Sequence, residues 1–338
     1  MKIQRIFACL AFGAAVTGAP SLSVASDTLF QEYTGDVGVA TSGWGSTTQS
    51  GTIFTSAIPA GSTVTAAYLY TSEFFSDGLA GGTLGGTPVS YSTALGVNTS
   101  ACCSLQAYRA DVTSIVAPVV DGGPGGVYSF GITETDANQD GEALVVVYTN
   151  PAIATNTVAI LNGFAESTGD VSHVNFADPL DPSAPGFFAH MIIGDGFSCC
   201  NQESTITVNG QAMTTVAGNN DSSVDGFAAN GNLITVGNIN GPYTGGTPGL
   251  PQTNYDSDHE AYDLVPFISN GDTTITINTI NSSLDDNIFL QVFDVSGVAT
   301  VVTPSIPEPS TWTLMLVGFV GFGLAAARRA SGRRPSAA

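Results

Sequence analysis

Alternation with a period of two is the feature that most constrains this chain. In Thr273-Thr274-Ile275-Thr276-Ile277-Asn278 the isoleucines fall on one side of an extended strand and the polar side chains on the other. Further short runs rich in Val, Ile, Thr and aromatic residues lie at 63–70, 127–133, 143–148, 157–161, 204–209, 233–236 and 288–295. Each is bounded by Gly, Asn, Asp or Pro, residues that turn the backbone. No part of the chain between its two ends keeps a helical period. The expected class is all-β and antiparallel, and the 40 glycines and 17 prolines supply the turns.

A weak internal repeat sets the expected domain plan. Ala107-Tyr108-Arg109-Ala110-Asp111-Val112 is followed by a Gly-rich turn, a strand, an acidic loop and the run from Ala143 to Tyr148. The same order returns in Ala261-Tyr262-Asp263-Leu264-Val265, the Asn270-Gly271 turn, the strand 273–279, the acidic Asp285-Asp286-Asn287 and the run 288–295. Two tandem antiparallel β-sandwich domains are expected, at 26–166 and 167–303, divided just before the Pro-rich loop Asp178-Pro179-Leu180-Asp181-Pro182. The order of strands resembles the last strands of jelly-roll β-sandwiches, in pattern only.

Charge narrows the partners. Six of the seven cationic residues, Lys2, Arg5, Arg328, Arg329, Arg333 and Arg334, stand near the ends, so the body between holds 27 acids against Arg109 alone. Such a polyanion repels nucleic acid and anionic membrane surfaces and favours cations. Acidity that serves only solubility outside the cell is the competing reading.

Asp136-Ala137-Asn138-Gln139-Asp140-Gly141-Glu142 is the best candidate for site chemistry. Oxygen-bearing side chains two residues apart, followed by glycine, form the first half of a calcium loop, with Asp136, Asn138, Asp140 and Glu142 as the expected ligands. The position where an EF-hand glutamate would fall is Val147, inside a strand. Calcium binding and a β-hairpin with an acidic tip both stay open. Asp256-Ser257-Asp258-His259-Glu260 and Asp285-Asp286-Asn287 are weaker candidates.

The cysteines of the body come as two doublets, Cys102-Cys103 and Cys199-Cys200. An even count in an oxidising compartment points to disulfides. Bonding of sequence neighbours strains the peptide between them, which favours pairing one doublet with the other. No Cys-x-x-Cys spacing supports a metal or redox role.

Catalytic constellations are weak. His173, His190 and His259 stand singly. Gly194-Asp195-Gly196-Phe197-Ser198 lacks the Gly-x-Ser-x-Gly pattern and a strand-to-helix setting. No catalytic residue is expected.

Both ends read as export signals. Lys2 and Arg5, the apolar run from Ile6 to Val16 and the small-x-small Ser23-Val24-Ala25 make residues 1–25 a secretory signal peptide. At the other end Pro307-Glu308-Pro309 forms a strip that cannot be helical, residues 311–327 are uncharged and of short membrane-spanning length, and Arg328 and Arg329 follow on one side only. With these three parts in this order, residues 304–338 resemble the PEP-CTERM sorting signal of exported proteins of Gram-negative bacteria. The resemblance implies that an exosortase-type membrane protease recognises Pro307, Glu308 and Pro309, removes the span, and releases the body to the cell surface or an exopolysaccharide matrix. Membrane contact would then run only through this segment, before processing.

The function expected is a non-catalytic structural protein of the cell surface or matrix, with exopolysaccharide as a partner and calcium as the only expected ion. A glycan-binding or adhesive module using Trp44, Tyr91, Tyr243 and Tyr255, and a secreted glycan hydrolase, are the alternatives.

Overall fold

The structure is a computed structural model and describes residues 27–45, 48–73, 75, 80–98, 104–164, 169–196, 203–218, 234–281 and 288–303. Its strands form four antiparallel sheets. Sheet I holds β3 (Ser50–Phe54), β9 (Ser129–Glu134), β5 (Gly81–Leu84) and β6 (Thr87–Ser90), paired in that order. Sheet II runs β2 (Val37–Trp44), β10 (Gln139–Thr149), β4 (Thr63–Glu73), β8 (Leu105–Asp111) and β7 (Thr93–Asn98). Sheet III runs β1 (Thr28–Gly35), β11 (Asn156–Asn162), β19 (Ile288–Ser296), β13 (Ala189–Gly196) and β16 (Ile234–Val236), with β17 (Ala261–Asp263) also on β13. Sheet IV runs β15 (Gln211–Ala217), β14 (Ser204–Val208), β18 (Thr274–Ile280), β12 (Asp170–Phe176) and β20 (Ala299–Val302). One α-helix, α1 (Thr113–Val120), is present among the described residues.

Three apolar cores stack these sheets as four layers. On β10, Leu144, Val146 and Tyr148 point into the core shared with sheet I, beside Ile53, Phe130 and Ile132. Their neighbours Ala143, Val145 and Val147 point the other way, against Val158, Ile160 and Val292 of sheet III. Sheet III then turns Leu161, Met191 and Phe293 toward Ile206, Ile275 and Ile277 of sheet IV. Sheets II and III are thus covered on both faces. That explains why their central strands are continuous apolar runs while β18 alternates, since only strands with one solvated face need polar residues at every second position. Each buried Val, Leu or Ile contributes about 1.5–3 kcal/mol of transfer free energy, so the inner sheets carry most of the driving force.

The pairing scheme repeats. β2 to β10 build sheets I and II, and β11 to β19 build sheets III and IV with corresponding neighbours: β10 lies between β2 and β4 as β19 lies between β11 and β13, and β9 beside β3 as β18 beside β12. α1 follows β8 where a short 3-10 turn at Val265–Phe267 follows β17. The division between the two units therefore falls at 150–155, before β11. The boundary expected near 166 lies on the other side of β11, whose run 157–161 announces a strand without naming the sheet it joins. β1 and β20 stand outside the repeat, as edge strands of sheets III and IV. Glu32 on β1 ties them together, its carboxylate accepting the Val301 backbone N–H at 2.7 Å.

Candidate functional site

At one end of the gap between sheets I and II, glutamates replace the apolar residues. On β4 the face that carries Leu69 continues through Thr71 to Glu73, both fully buried. On β9 the face of Phe130 and Ile132 ends in Glu134, 7% exposed. On β10 the face of Val146 and Leu144 ends in Glu142, also fully buried. Among the described residues four glutamates are buried: these three and Glu260.

A β-bulge shapes this end. The register places Glu142 opposite Thr71 but Gln139 opposite Glu73, so three steps along β10 answer two along β4. The extra residue reverses the facing of everything before it and turns Gln139 toward Glu142. Gly141 permits this: its φ is +131°, and a β-carbon there would stand 2.2 Å from the Trp44 carbonyl oxygen.

Gln139 is the hub. Its amide nitrogen donates to Thr71 Oγ1 at 3.3 Å and to Glu142 Oε1 at 3.5 Å. Its amide oxygen accepts from the backbone N–H groups of Gly81 at 2.9 Å and Asp136 at 3.4 Å. Tyr91 donates its hydroxyl to Glu142 Oε1 at 3.4 Å, and Tyr108 donates to Glu73 at 3.4 Å. Glu142 Oε2 and Glu134 Oε1 are buried with no hydrogen-bond donor. Burial pushes Glu134 up to about 8, the negative charge of Asp136 adding to it. Burial also lifts Glu142 well above the ordinary carboxylate range, with Glu134 acting in the same sense and the Tyr91 hydrogen bond opposing it. In both, burial in the low-dielectric gap disfavours the charged form and raises the proton affinity.

The four expected calcium ligands do not converge. Asp136 folds back on its own turn, accepting the Asn138 N–H at 2.7 Å. Asp140 faces away from Glu142: its Oδ2 accepts from Ser72 Oγ at 2.8 Å, on the side where sheet II meets Gly196 of sheet III. Glu142 alone reaches the acid cluster. Among the described residues no three or more His, Cys, Asp or Glu side chains are grouped to hold a metal ion. Glu134, Gln139 and Thr71 were missed from sequence because only the bulge brings them together.

The other candidates are placed as follows. Asp258 is fully buried and accepts from Thr214 Oγ1 at 2.5 Å and Thr244 Oγ1 at 3.3 Å, so it ties loops to β15. Asp285, Asp286 and Asn287, the cysteines Cys102, Cys103, Cys199 and Cys200, residues 1–25 and the sorting residues Pro307, Glu308, Pro309, Arg328 and Arg329 lie outside the described residues. Asp195 is a buried residue within β13, not at a turn. His173 pairs with Thr276 Oγ1 at 3.1 Å, while His190 is stacked on Tyr243 with ring centres 3.9 Å apart. Trp44 lies against Gly51, and Tyr91 and Tyr243 are partly buried. Tyr255, 42% exposed, is the one of the four suggested sugar-stacking aromatics that is open to solvent.

No helix among the described residues is long and apolar enough to cross a membrane. The stretch after residue 303 lies beyond the described residues and carries the chain's clearest outside relationship. No curated protein and no solved structure matches the chain. Residues 305–330 match the PEP-CTERM protein-sorting motif, the recognition signal for exosortase processing, and this match supports an exported, exosortase-processed chain.

Proposed function

We propose that this protein is a non-catalytic structural component of the cell surface or exopolysaccharide matrix, put there by exosortase processing. The observation that carries the reading is the sorting motif, which begins at residue 305, three residues beyond the end of β20. A body of four stacked sheets with three filled cores suits a load-bearing role better than turnover. Several of the polar groups inside it are tied to the scaffold: Thr41 on β2, Asp258 and Gln139 all bond backbone or neighbouring strands. The adhesive reading keeps only Tyr255 as an open aromatic platform.

The test is to replace Pro307-Glu308-Pro309 by alanines in the producing cell and follow the body by immunoblot of membrane, surface and medium. Retention of an uncleaved form in the membrane fraction is the expected result. Normal release of a shortened product would overturn the proposal.

A further inference from the structure

The geometry of the bulge points to a covalent bond. We propose that Thr71 and Gln139 join through a self-formed ester between Thr71 Oγ1 and the side-chain carbonyl carbon of Gln139, with loss of ammonia.

Four observations converge on the pair. The nucleophile and the amide are already in contact, Thr71 Oγ1 standing 3.3 Å from Gln139 Nε2. The Thr71 hydroxyl proton is directed to the Gly141 carbonyl at 2.8 Å, and a lone pair on the same oxygen accepts the Gln139 amide N–H, which holds the two groups side by side. Two backbone N–H groups, from Gly81 and Asp136, meet on the amide oxygen. They fix which end of the amide is oxygen, and they stand where negative charge would develop during attack, the arrangement of an oxyanion hole. Glu142, directly across the strand pair from Thr71, touches the nitrogen that would leave.

The step balances. The Thr71 hydroxyl first turns from the Gly141 carbonyl toward Glu142 across the strand pair; its oxygen then attacks the Gln139 carbonyl carbon while Glu142, as carboxylate, takes the proton. The π pair moves onto the amide oxygen, held by the two N–H groups. Collapse of this tetrahedral centre breaks the carbon–nitrogen bond, and Glu142 returns the proton to the departing nitrogen. Ammonia leaves, the ester remains, and Glu142 ends as it began. Burial that raises the Glu142 proton affinity makes the small ionised fraction a stronger base. Holding both reactants in contact supplies the entropic part of the barrier. The same burial, with Thr71 fully and Gln139 97% removed from solvent, shields the product from hydrolysis. Escape of ammonia into dilute solution draws the exchange forward.

The bond would close the 68-residue segment between β4 and β10 without cysteine, and reductants would not open it. In an exported polyanion held in a matrix, that is a staple indifferent to redox conditions.

The experiment is intact-mass and fragment mass spectrometry of the exported protein recovered from the producing cells. The expected result is a mass short by one ammonia, with a cross-linked peptide pair containing Thr71 and Gln139 that hydroxylamine separates. Thr71→Val restores the full mass. Glu142→Gln, which keeps the shape and cannot accept the proton, slows formation about a hundredfold. A full-length, unshortened mass in the mature protein would overturn the proposal. So would an ammonia loss that maps to another residue or persists in Thr71→Val. The wild-type fragments decide the matter even where a variant does not fold.

Discussion

Gly196 and Ser72 meet across the gap between sheets II and III so closely that a β-carbon on Gly196 would stand 2.2 Å from Ser72 Oγ and 2.8 Å from its Cβ. Both partners sit on sheets covered on either face, so neither backbone can retreat toward solvent. Gly196→Ala is expected to cost about 1–3 kcal/mol through overpacking. Adding Ser72→Gly should recover part of that loss, because it vacates the contested space. Chemical denaturation midpoints of the single and double variants check this, and an unaltered midpoint in Gly196→Ala would mean that the two sheets do not pack as described.

Acid should stabilise the fold. Glu134 is raised to about 8, against an ordinary glutamate value of roughly 4.3. Between those values the folded state holds a proton that the unfolded state has lost, so stability falls as pH rises, by about 1.4 kcal/mol per unit for each such proton. The contribution is complete below the ordinary value and gone above about 8. Asp294, pushed by burial up to about 7, acts in the same sense over the lower part of that window. Melting temperature measured from pH 5 to pH 9 should decline, and Glu134→Gln, which cannot ionise, should flatten the slope. A profile that rises with pH in the wild type would contradict the buried, donor-free placement of these carboxyls.

How much of this could be seen in the sequence depended on the period of each segment. The strand at 274–280 was legible because one of its faces is wet, and the apolar run from Ala143 to Tyr148 was legible as buried. That the latter is buried between two sheets, with Val145 and Val146 serving different cores, was not legible, since an apolar run names no partner. The repeated order of Tyr108-to-Tyr148 and Tyr262-to-Val295 runs alongside the similar strand orders of the sheets. Its boundary was not legible, because β11 joins the later sheets through long-range hydrogen bonds that leave no local mark. The spacing of Asp136, Asn138, Asp140 and Glu142 left a calcium ligand set and a β-hairpin with an acidic tip both open. The bulge at Gly141 changes which side each residue faces, and such a parity change is invisible to spacing.

Calcium should matter little to the thermal midpoint. Asp136 is engaged with its own turn and Asp140 with Ser72, so the loop presents no convergent oxygen cage. Melting in calcium and in chelator should coincide, and Asp140→Ala should lower stability equally in both, by about 1–3 kcal/mol for the stranded Ser72 hydroxyl. A midpoint that rises with calcium and loses that rise in Asp140→Ala would restore the loop as an ion site.

The last prediction concerns how the two units are held together. Thr41 on β2 is fully buried, donates its hydroxyl to the Gly237 carbonyl at 2.9 Å and accepts the Ile239 N–H at 3.0 Å. One side chain of the first unit thus satisfies both a donor and an acceptor on the backbone that follows β16 in the second. Thr41→Val keeps the volume and removes both bonds, leaving a buried N–H and a buried carbonyl stranded at an expected cost of about 2–4 kcal/mol. Because the core between sheets II and III ties the units into one packed body, the loss should appear as a shift of a single unfolding transition. Thr41→Ser, which retains the hydroxyl, should recover most of the loss. Calorimetry that split into two transitions in wild type, with Thr41→Val altering neither, would show the units to be independent and this hydrogen-bonded bridge to be without energetic consequence.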